Sequence, residues 1–247
     1  MIKSYLFDQL SAVALYAEIK KLYPKEITML FESVVTSEDG NFSFITIGAK
    51  ERITYKDGKT LFTSNKTTQE LEQNPFEYLQ EYYNGIEKEK FKEFADIVGF
   101  NFVDGFIGYI GYDMVQVFEP SLKKSMSGLK DTINIPDLDL VRPKVIIAFA
   151  HKSSQLTLLD IDNSNNDMLL DMAKIIPKSH TPQTIKPAKL LGEGEFSLSK
   201  ERFMEIVDEA KEHIRAGDVF QILPSNRYTQ KGSIDPLSFY RILRSKN

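Results

Sequence analysis

Hydrophobic side chains near the start of the chain recur with the period of a helix. Apolar residues from Ala12 to Leu22 follow one another at three- and four-residue steps, Ser11 stands at the N-cap position, and Pro24 comes just after. This spacing predicts a helix with one buried face over residues 12–22.

Strand-like patterns follow. Residues 27–35 are apolar and β-branched, residues 42–47 alternate with period two, and residues 53–55 predict a third strand that returns after Asp57-Gly58. Asp-Gly between such runs is a strong hairpin signal, because both central residues of the favoured turn have positive φ.

The same rules predict further elements along the rest of the chain. They are a helix opened by Asn74-Pro75, a strand over 104–113, a hairpin of 145–150 with 156–161, a helix from Ser199 to Gly217, a strand over 219–223 and a helix from Asp235-Pro236. Hairpins dominate, and strands do not alternate regularly with helices. We therefore expect the α+β class, with antiparallel sheets packed against flanking helices and no doubly wound parallel sheet.

Composition is that of an ordinary globular protein. The chain has 247 residues, of which 42% are hydrophobic and 27% charged, and its formal net charge is -4. This length allows one large or two small domains. The mild acidity argues against nucleic acid as the main partner.

Several kinds of site are excluded or disfavoured. The chain has no cysteine, which excludes disulfides and thiolate metal sites, and its three histidines lack the spacing of metal ligands. Residues 1–10 do not resemble a signal peptide, and the longest apolar run, residues 145–150, is too short to span a bilayer. We expect a cytoplasmic protein with no membrane partner.

Glycines and motifs give little chemistry by themselves. Gly105, Gly108 and Gly111 have a spacing similar to a dinucleotide fingerprint, but they fall in a strand pattern, which favours packing glycines. The chain carries no phosphate-binding loop, zinc-protease motif or nucleophile elbow.

A family resemblance rests on four stretches in matching order and spacing. They are Leu30-Phe31-Glu32-Ser33, Gly108-Tyr109-Ile110-Gly111-Tyr112-Asp113, Ile135-Pro136-Asp137, and the segment 196–221 with its Ala216-Gly217-Asp218-Val219-Phe220-Gln221 end. Together they resemble anthranilate synthase component I, a chorismate-utilising family. The last stretch is similar to the start of the family's chorismate-binding half.

The resemblance implies the organisation and activity of the protein. It implies a regulatory domain over 1–177, a connector over 178–195 and the start of a chorismate-binding domain over 196–247, so we expect an N-terminal fragment that is inactive alone. The intact protein is expected to convert chorismate and ammonia to anthranilate and pyruvate with Mg²⁺, whose ligands would lie outside this sequence. A glutamine amidotransferase subunit would supply the ammonia, and tryptophan would act as a feedback inhibitor.

The resemblance also assigns candidate site residues. Gln221 stands where relatives that add water carry lysine, and a neutral amide can orient a nucleophile but cannot deprotonate water. A purely structural strand glutamine is the alternative. Glu32, Ser33 and Asn247 match the tryptophan site, where a carboxylate would receive the effector's ammonium group. The alternative for Glu32 and Ser33 is a solvent-facing pair at a strand edge or cap.

Two other functions compete with this interpretation. The large component of aminodeoxychorismate synthase resembles the chain in fold and substrate, although its members tend to have tyrosine where Phe220 stands here. Alternatively, the chain is a module that binds an effector or a partner subunit without performing chemistry.

Overall fold

Two long antiparallel strands form the centre of the first part of the molecule. The computed structural model describes residues 2–6, 11–33, 42–128, 131, 133–180 and 184–246. Strand β3 (Phe42–Lys56) pairs with β7 (Leu138–Ala150) over almost its whole length, with a register shift between Ala49 and Glu51. The predicted strand at residues 53–55 is therefore the second half of β3, because the backbone passes through a bulge and continues pairing.

The remaining strands extend this pair into an eight-stranded sheet with the order β1-β8-β7-β3-β4-β5, with β2 added to β3 and β6 added to β7. The added strands are β1 (Ile2–Leu6), β2 (Thr28–Phe31), β4 (Lys59–Ser64), β5 (Thr67–Leu71), β6 (Ile107–Ile110) and β8 (Gln155–Asp160). Every pairing is antiparallel. The predicted α+β class is confirmed.

Helices cover the sheet on both faces. In this part of the chain they are α1 (Ala12–Leu22), α2 (Pro75–Asn84), α3 (Lys88–Val98), α4 (Val115–Phe118), α5 (Lys123–Met126) and α6 (Asn166–Ile175), with short 3-10 turns at Tyr112–Met114, Pro120–Leu122 and Ile176–Lys178. One apolar cluster joins α1 and α6 to β3, β7 and β8. A second lies under α3, and a third includes apolar side chains of α2 and β3.

Local sequence signals explain several boundaries. The Ser11 side chain accepts a hydrogen bond from the backbone N–H of Ala14 and so caps α1. Asn74 and Glu77 form a capping box at the start of α2. Asp57 and Gly58 join β3 to β4 with φ angles of +50° and +80°, as the hairpin signal predicts.

Three predicted strands differ from the structure. The strand expected over 27–35 ends at Phe31, and residues 34 and 35 lie outside the described residues. The strand expected over 104–113 is limited to β6, because Asp104 and Gly105 form part of a bend and residues 112–114 form a 3-10 turn. No strand forms over 219–223, since these residues pair with no strand in the described part of the chain.

The second part of the molecule is built differently. The chain divides into two compact units, Met1–Pro182 and Gln183–Asn247. The second contains helices α7 (Lys200–Ala216) and α8 (Pro236–Arg244) and two small antiparallel ladders, in which β9 (Lys189–Leu190) pairs with β12 (Gly232–Ser233) and β10 (Glu195–Phe196) with β11 (Tyr228–Thr229). The predicted starts of both helices are confirmed: Ser199 caps α7, and α8 begins at Pro236 with the Asp235 side chain accepting a hydrogen bond from the N–H of Ser238. In the described ranges no helix is long and apolar enough to cross a membrane.

Candidate functional site

The predicted effector residues lie at one end of the large sheet. Strand β2 ends at Phe31, which pairs with Phe44 of β3, and Glu32 and Ser33 follow directly. Both are half-buried. The expectation that they fall inside the strand is wrong, because pairing stops one residue earlier. The strand therefore positions Glu32 and Ser33, but both residues follow the last pair that β2 forms in the sheet.

A serine–histidine pair lies at the same end of the sheet. Ser43 Oγ is 2.9 Å from Nε2 of His151, the first residue after β7. Ser43 is only 1% exposed, whereas His151 is exposed. The imidazole ring also contacts the ring of Phe149, with centroids 5.0 Å apart. The histidine is thus held on two sides and reaches solvent on another.

This pair does not have the geometry of a hydrolytic nucleophile. A nucleophilic hydroxyl must be reached by its substrate, and Ser43 is covered by protein. The pair instead fixes the orientation of the imidazole. The hydrogen bond at Nε2 also determines whether Nδ1 carries a proton.

Gln221 is in a very different environment. It lies in irregular chain after the αL residue Gly217 that ends α7, and it is exposed. Its side chain has no hydrogen-bond partner among the residues that the structure describes. The neighbouring Phe220 is 95% exposed. The catalytic role expected of Gln221 stays a prediction.

The remaining site predictions concern Asn247 and the metal. Asn247 lies outside the described residues. Within residues 2–6, 11–33, 42–128, 131, 133–180 and 184–246, no group of three or more histidine, aspartate or glutamate side chains could hold a metal ion.

Sequence reasoning missed an ion-pair cluster on the face of the sheet. Arg142 Nε donates to Asp104 Oδ1 at 2.8 Å, its Nη2 donates to the other oxygen of Asp104, and its Nη1 donates to Glu51 Oε2 at 3.2 Å. The guanidinium carbon lies 5.5 Å from the ring centroid of Tyr82. The hydrogen bonds that Arg142 donates to Asp104 raise the pKa of Arg142, and burial raises the pKa of Tyr82. The cluster ties the 104–105 bend to β3, β7 and α2.

The glycine-rich motif and the Ile-Pro-Asp segment come together in the first unit. Tyr109 Oη donates to the carbonyl of Pro136 at 2.9 Å, and the N–H of Gly111 donates to the carbonyl of Asp137 at 2.7 Å. A Cβ atom at Gly108 would lie 2.0 Å from the carbonyl oxygen of Asp139. The packing role predicted for this glycine is confirmed, because no side chain fits between β6 and β7.

Comparison with known families identifies the chain. A family model described as "chorismate binding enzyme" matches residues 28–247. The chain belongs to this family. Among curated proteins, it is 31% identical over 252 residues to anthranilate synthase component 1 of Thermus thermophilus, covering 99% of this chain and 50% of the relative. It is 30% identical over 228 residues to the component 1 of Acinetobacter calcoaceticus, covering 88% of this chain and 45% of the relative.

The fold agrees with a solved relative of the same name. A crystal structure of anthranilate synthase component I from Streptococcus pneumoniae superposes with a TM-score of 0.63, at 21% identity, over 98% of this chain and 52% of that chain. The positions of Glu32, Ser33 and Gln221 fall within the matched range, and their roles stay predictions. This chain of the chorismate-binding family spans about half the length of the curated relatives it matches.

Proposed function

We propose that the protein to which this chain belongs is the large component of anthranilate synthase. The observation that carries the proposal is the 31% identity to a protein named anthranilate synthase component 1, which extends over 99% of this chain. Relatives from Saccharomyces cerevisiae and Lactococcus lactis carry the same name and cover 90% and 100% of the chain. The intact protein would make anthranilate, pyruvate and water from chorismate and ammonia.

Partners and cofactor follow from this assignment. A glutamine amidotransferase subunit would supply ammonia, tryptophan would inhibit, and the protein would act in the cytoplasm. Mg²⁺ would neutralise the charge of the dicarboxylate substrate. Its ligands would lie beyond the described residues, which hold no suitable cluster. We therefore assign it no step on this chain.

The decisive experiment compares the 247-residue chain with the intact protein. Each is incubated with chorismate, Mg²⁺ and ammonium, and anthranilate is measured by its fluorescence. We expect product from the intact protein and none from the chain alone, which spans about half of its relatives. Aminodeoxychorismate from the intact protein would instead support the competing enzyme of the same family. Anthranilate from the 247-residue chain would contradict the assignment of its active site to additional sequence.

Gln221 is proposed to orient the nitrogen nucleophile without acting as a base. Its amide can donate and accept hydrogen bonds but cannot deprotonate water at neutral pH. Lysine at this position, if desolvated, would become a general base. We expect Gln221→Lys in the intact protein to lower anthranilate formation by about tenfold or more. Ser225→Lys, at an exposed position four residues further along the chain, serves as the control for added charge. Equal loss in both variants would make Gln221 a structural residue.

The effector site is proposed at Glu32 and Ser33. A carboxylate and a hydroxyl that are half-buried just beyond a strand end can bind an α-amino acid through its charged groups. Ser33→Leu would remove a hydrogen-bonding group and add bulk. We expect this variant of the intact protein to lose tryptophan inhibition while keeping chorismate turnover.

A further inference from the structure

Three neighbouring strands place polar side chains at the same end of the sheet. Phe31 of β2 pairs with Phe44 of β3, and Phe42 of β3 pairs with Ala150 of β7. Glu32 follows the first pair and His151 follows the second. Ser43 lies on β3 between the two pairs. The topology therefore gathers a carboxylate, a hydroxyl and an imidazole at this end, although they are far apart in sequence.

We propose that His151, held in position by Ser43, binds the carboxylate of the amino acid whose ammonium group Glu32 receives. This inference rests on the effector site proposed above and adds the group that recognises the other charged end of the ligand. A free α-amino acid carries both charges on one carbon, so a hydrogen-bond donor for its carboxylate complements the recognition of its ammonium group by Glu32.

The hydrogen bond to Ser43 gives the imidazole the required direction. Either atom of the 2.9 Å contact between Ser43 Oγ and His151 Nε2 can be the donor. With the hydroxyl as the donor, the proton of a neutral ring resides on Nδ1, which can then donate to a carboxylate. No hydrogen bond to Nδ1 occurs in the described part of the chain. The contact with Phe149 restrains the ring plane. A donor that is already oriented loses little entropy when it binds a carboxylate.

The burial of the two partners fits a binding role. Ser43 is 1% exposed and its hydroxyl is hydrogen-bonded to the histidine, so the serine holds the imidazole from the interior side. His151 is exposed and can meet a ligand from solvent. Lys152 is the next residue in the same turn, also exposed, and it provides a matched control for loss of a nearby side chain.

The test uses the intact protein and ligands that each lack one charged group. Calorimetry measures binding of L-tryptophan, of tryptamine, which has no carboxylate, and of indole-3-propionate, which has no ammonium group. We expect His151→Ala to weaken tryptophan binding about tenfold or more and to leave tryptamine binding unchanged. Glu32→Gln should weaken tryptophan and tryptamine and leave indole-3-propionate unchanged. Lys152→Ala should change none of the three.

The outcomes separate this inference from the proposals on which it rests. Equal weakening of tryptophan and tryptamine by His151→Ala would mean that the histidine only maintains the structure, and no weakening would also overturn its role. Loss of indole-3-propionate binding in Glu32→Gln would overturn the assigned orientation of the ligand. If the unaltered protein makes anthranilate but binds no tryptophan, the effector site and this inference both fail, while the enzyme assignment stands.

Discussion

The two units of the chain bury very different amounts of apolar side chain. The first contains three apolar clusters, and central residues of β3, β7 and β8 are completely covered. Within the described residues of the second, Ala210 is the only buried apolar residue. Its large exposed side chains include Phe196, Met204, Phe220, Leu223, Phe239 and Ile242.

The two units are therefore stabilised in different ways. In the first unit, apolar burial and long-range strand pairing stabilise the same arrangement. In the second, helices α7 and α8 have good caps and favourable charge pairs, such as Arg202 with Glu205 and Glu209. Caps and exposed pairs contribute only about 1 kcal/mol each, which is small beside the entropy of ordering a chain. Local signals in the second unit therefore define its helices without providing a core.

Separating the units should produce the largest effect. Residues 1–182 are expected to unfold in one cooperative thermal transition, because this segment contains all three clusters. Residues 183–247 alone are expected to show partial helicity and no cooperative transition, because the described part of this segment buries little apolar side chain and helices in proteins depend mainly on such packing. Circular dichroism of both segments and of the whole chain is the measurement. A sigmoidal transition in the second segment would contradict this account of its stability.

A matched pair of leucine-to-alanine substitutions tests the same contrast within the 247-residue chain. Leu158 of β8 is 0% exposed, and Leu223 is 85% exposed. We expect Leu158→Ala to lower the free energy of unfolding by about 2–5 kcal/mol, because it leaves a cavity. The same substitution at the exposed position, Leu223→Ala, should change the free energy of unfolding by less than about 0.5 kcal/mol. Urea denaturation followed by circular dichroism measures both values. A similar loss in the two variants would mean that residue 223 packs against protein.

The contrast also explains how far the sequence could predict the fold. Ser11, Asn74, Asp57-Gly58 and Ser199 act on adjacent backbone, and each of these signals predicted a boundary that the structure confirms. A strand, in contrast, forms only where a partner pairs with it, and that partner is often distant in sequence. The apolar pattern at residues 219–223 predicts a strand, but no partner pairs with these residues in the described part of the chain. Helix α3 could have been found from its spacing, because Phe91, Phe94, Ala95 and Val98 face one apolar cluster.

The candidate site could be predicted only in part. Family resemblance located Glu32 and Ser33, but no local pattern connects Ser43 with His151, which are 108 residues apart. The Arg142 cluster could not be predicted from sequence for the same reason, because Asp104, Glu51 and Tyr82 contact Arg142 from separate parts of the chain. Polar residues in alternating strands at 43, 51 and 142 were the available signal, but register had to be known before they could be paired.

The smallest expected effect compares two aspartates held by similar partners in the two units. Asp162 accepts hydrogen bonds from Ser164 and pairs with Lys50 at 3.0 Å, while Asp235 pairs with Lys186 at 2.8 Å and caps α8 through Ser238. The Ser164 hydroxyl and Lys50 lower the pKa of Asp162 to about 2, and Lys186 with Ser238 lowers the pKa of Asp235 to about 2.

These shifts predict the direction of an acid effect. An unfolded aspartate has a pKa of about 3.9, so the stabilisation from Asp162 is fully present above that value and is lost as the pH falls toward 2. Asp162→Asn should therefore make the urea midpoint less dependent on pH between about pH 4 and pH 2, with a change below about 1 kcal/mol because the pair is partly exposed. Asp235→Asn should leave the main transition unchanged, since that transition reports on the first unit. Equal effects of both substitutions on the midpoint would mean that α8 unfolds together with the large sheet.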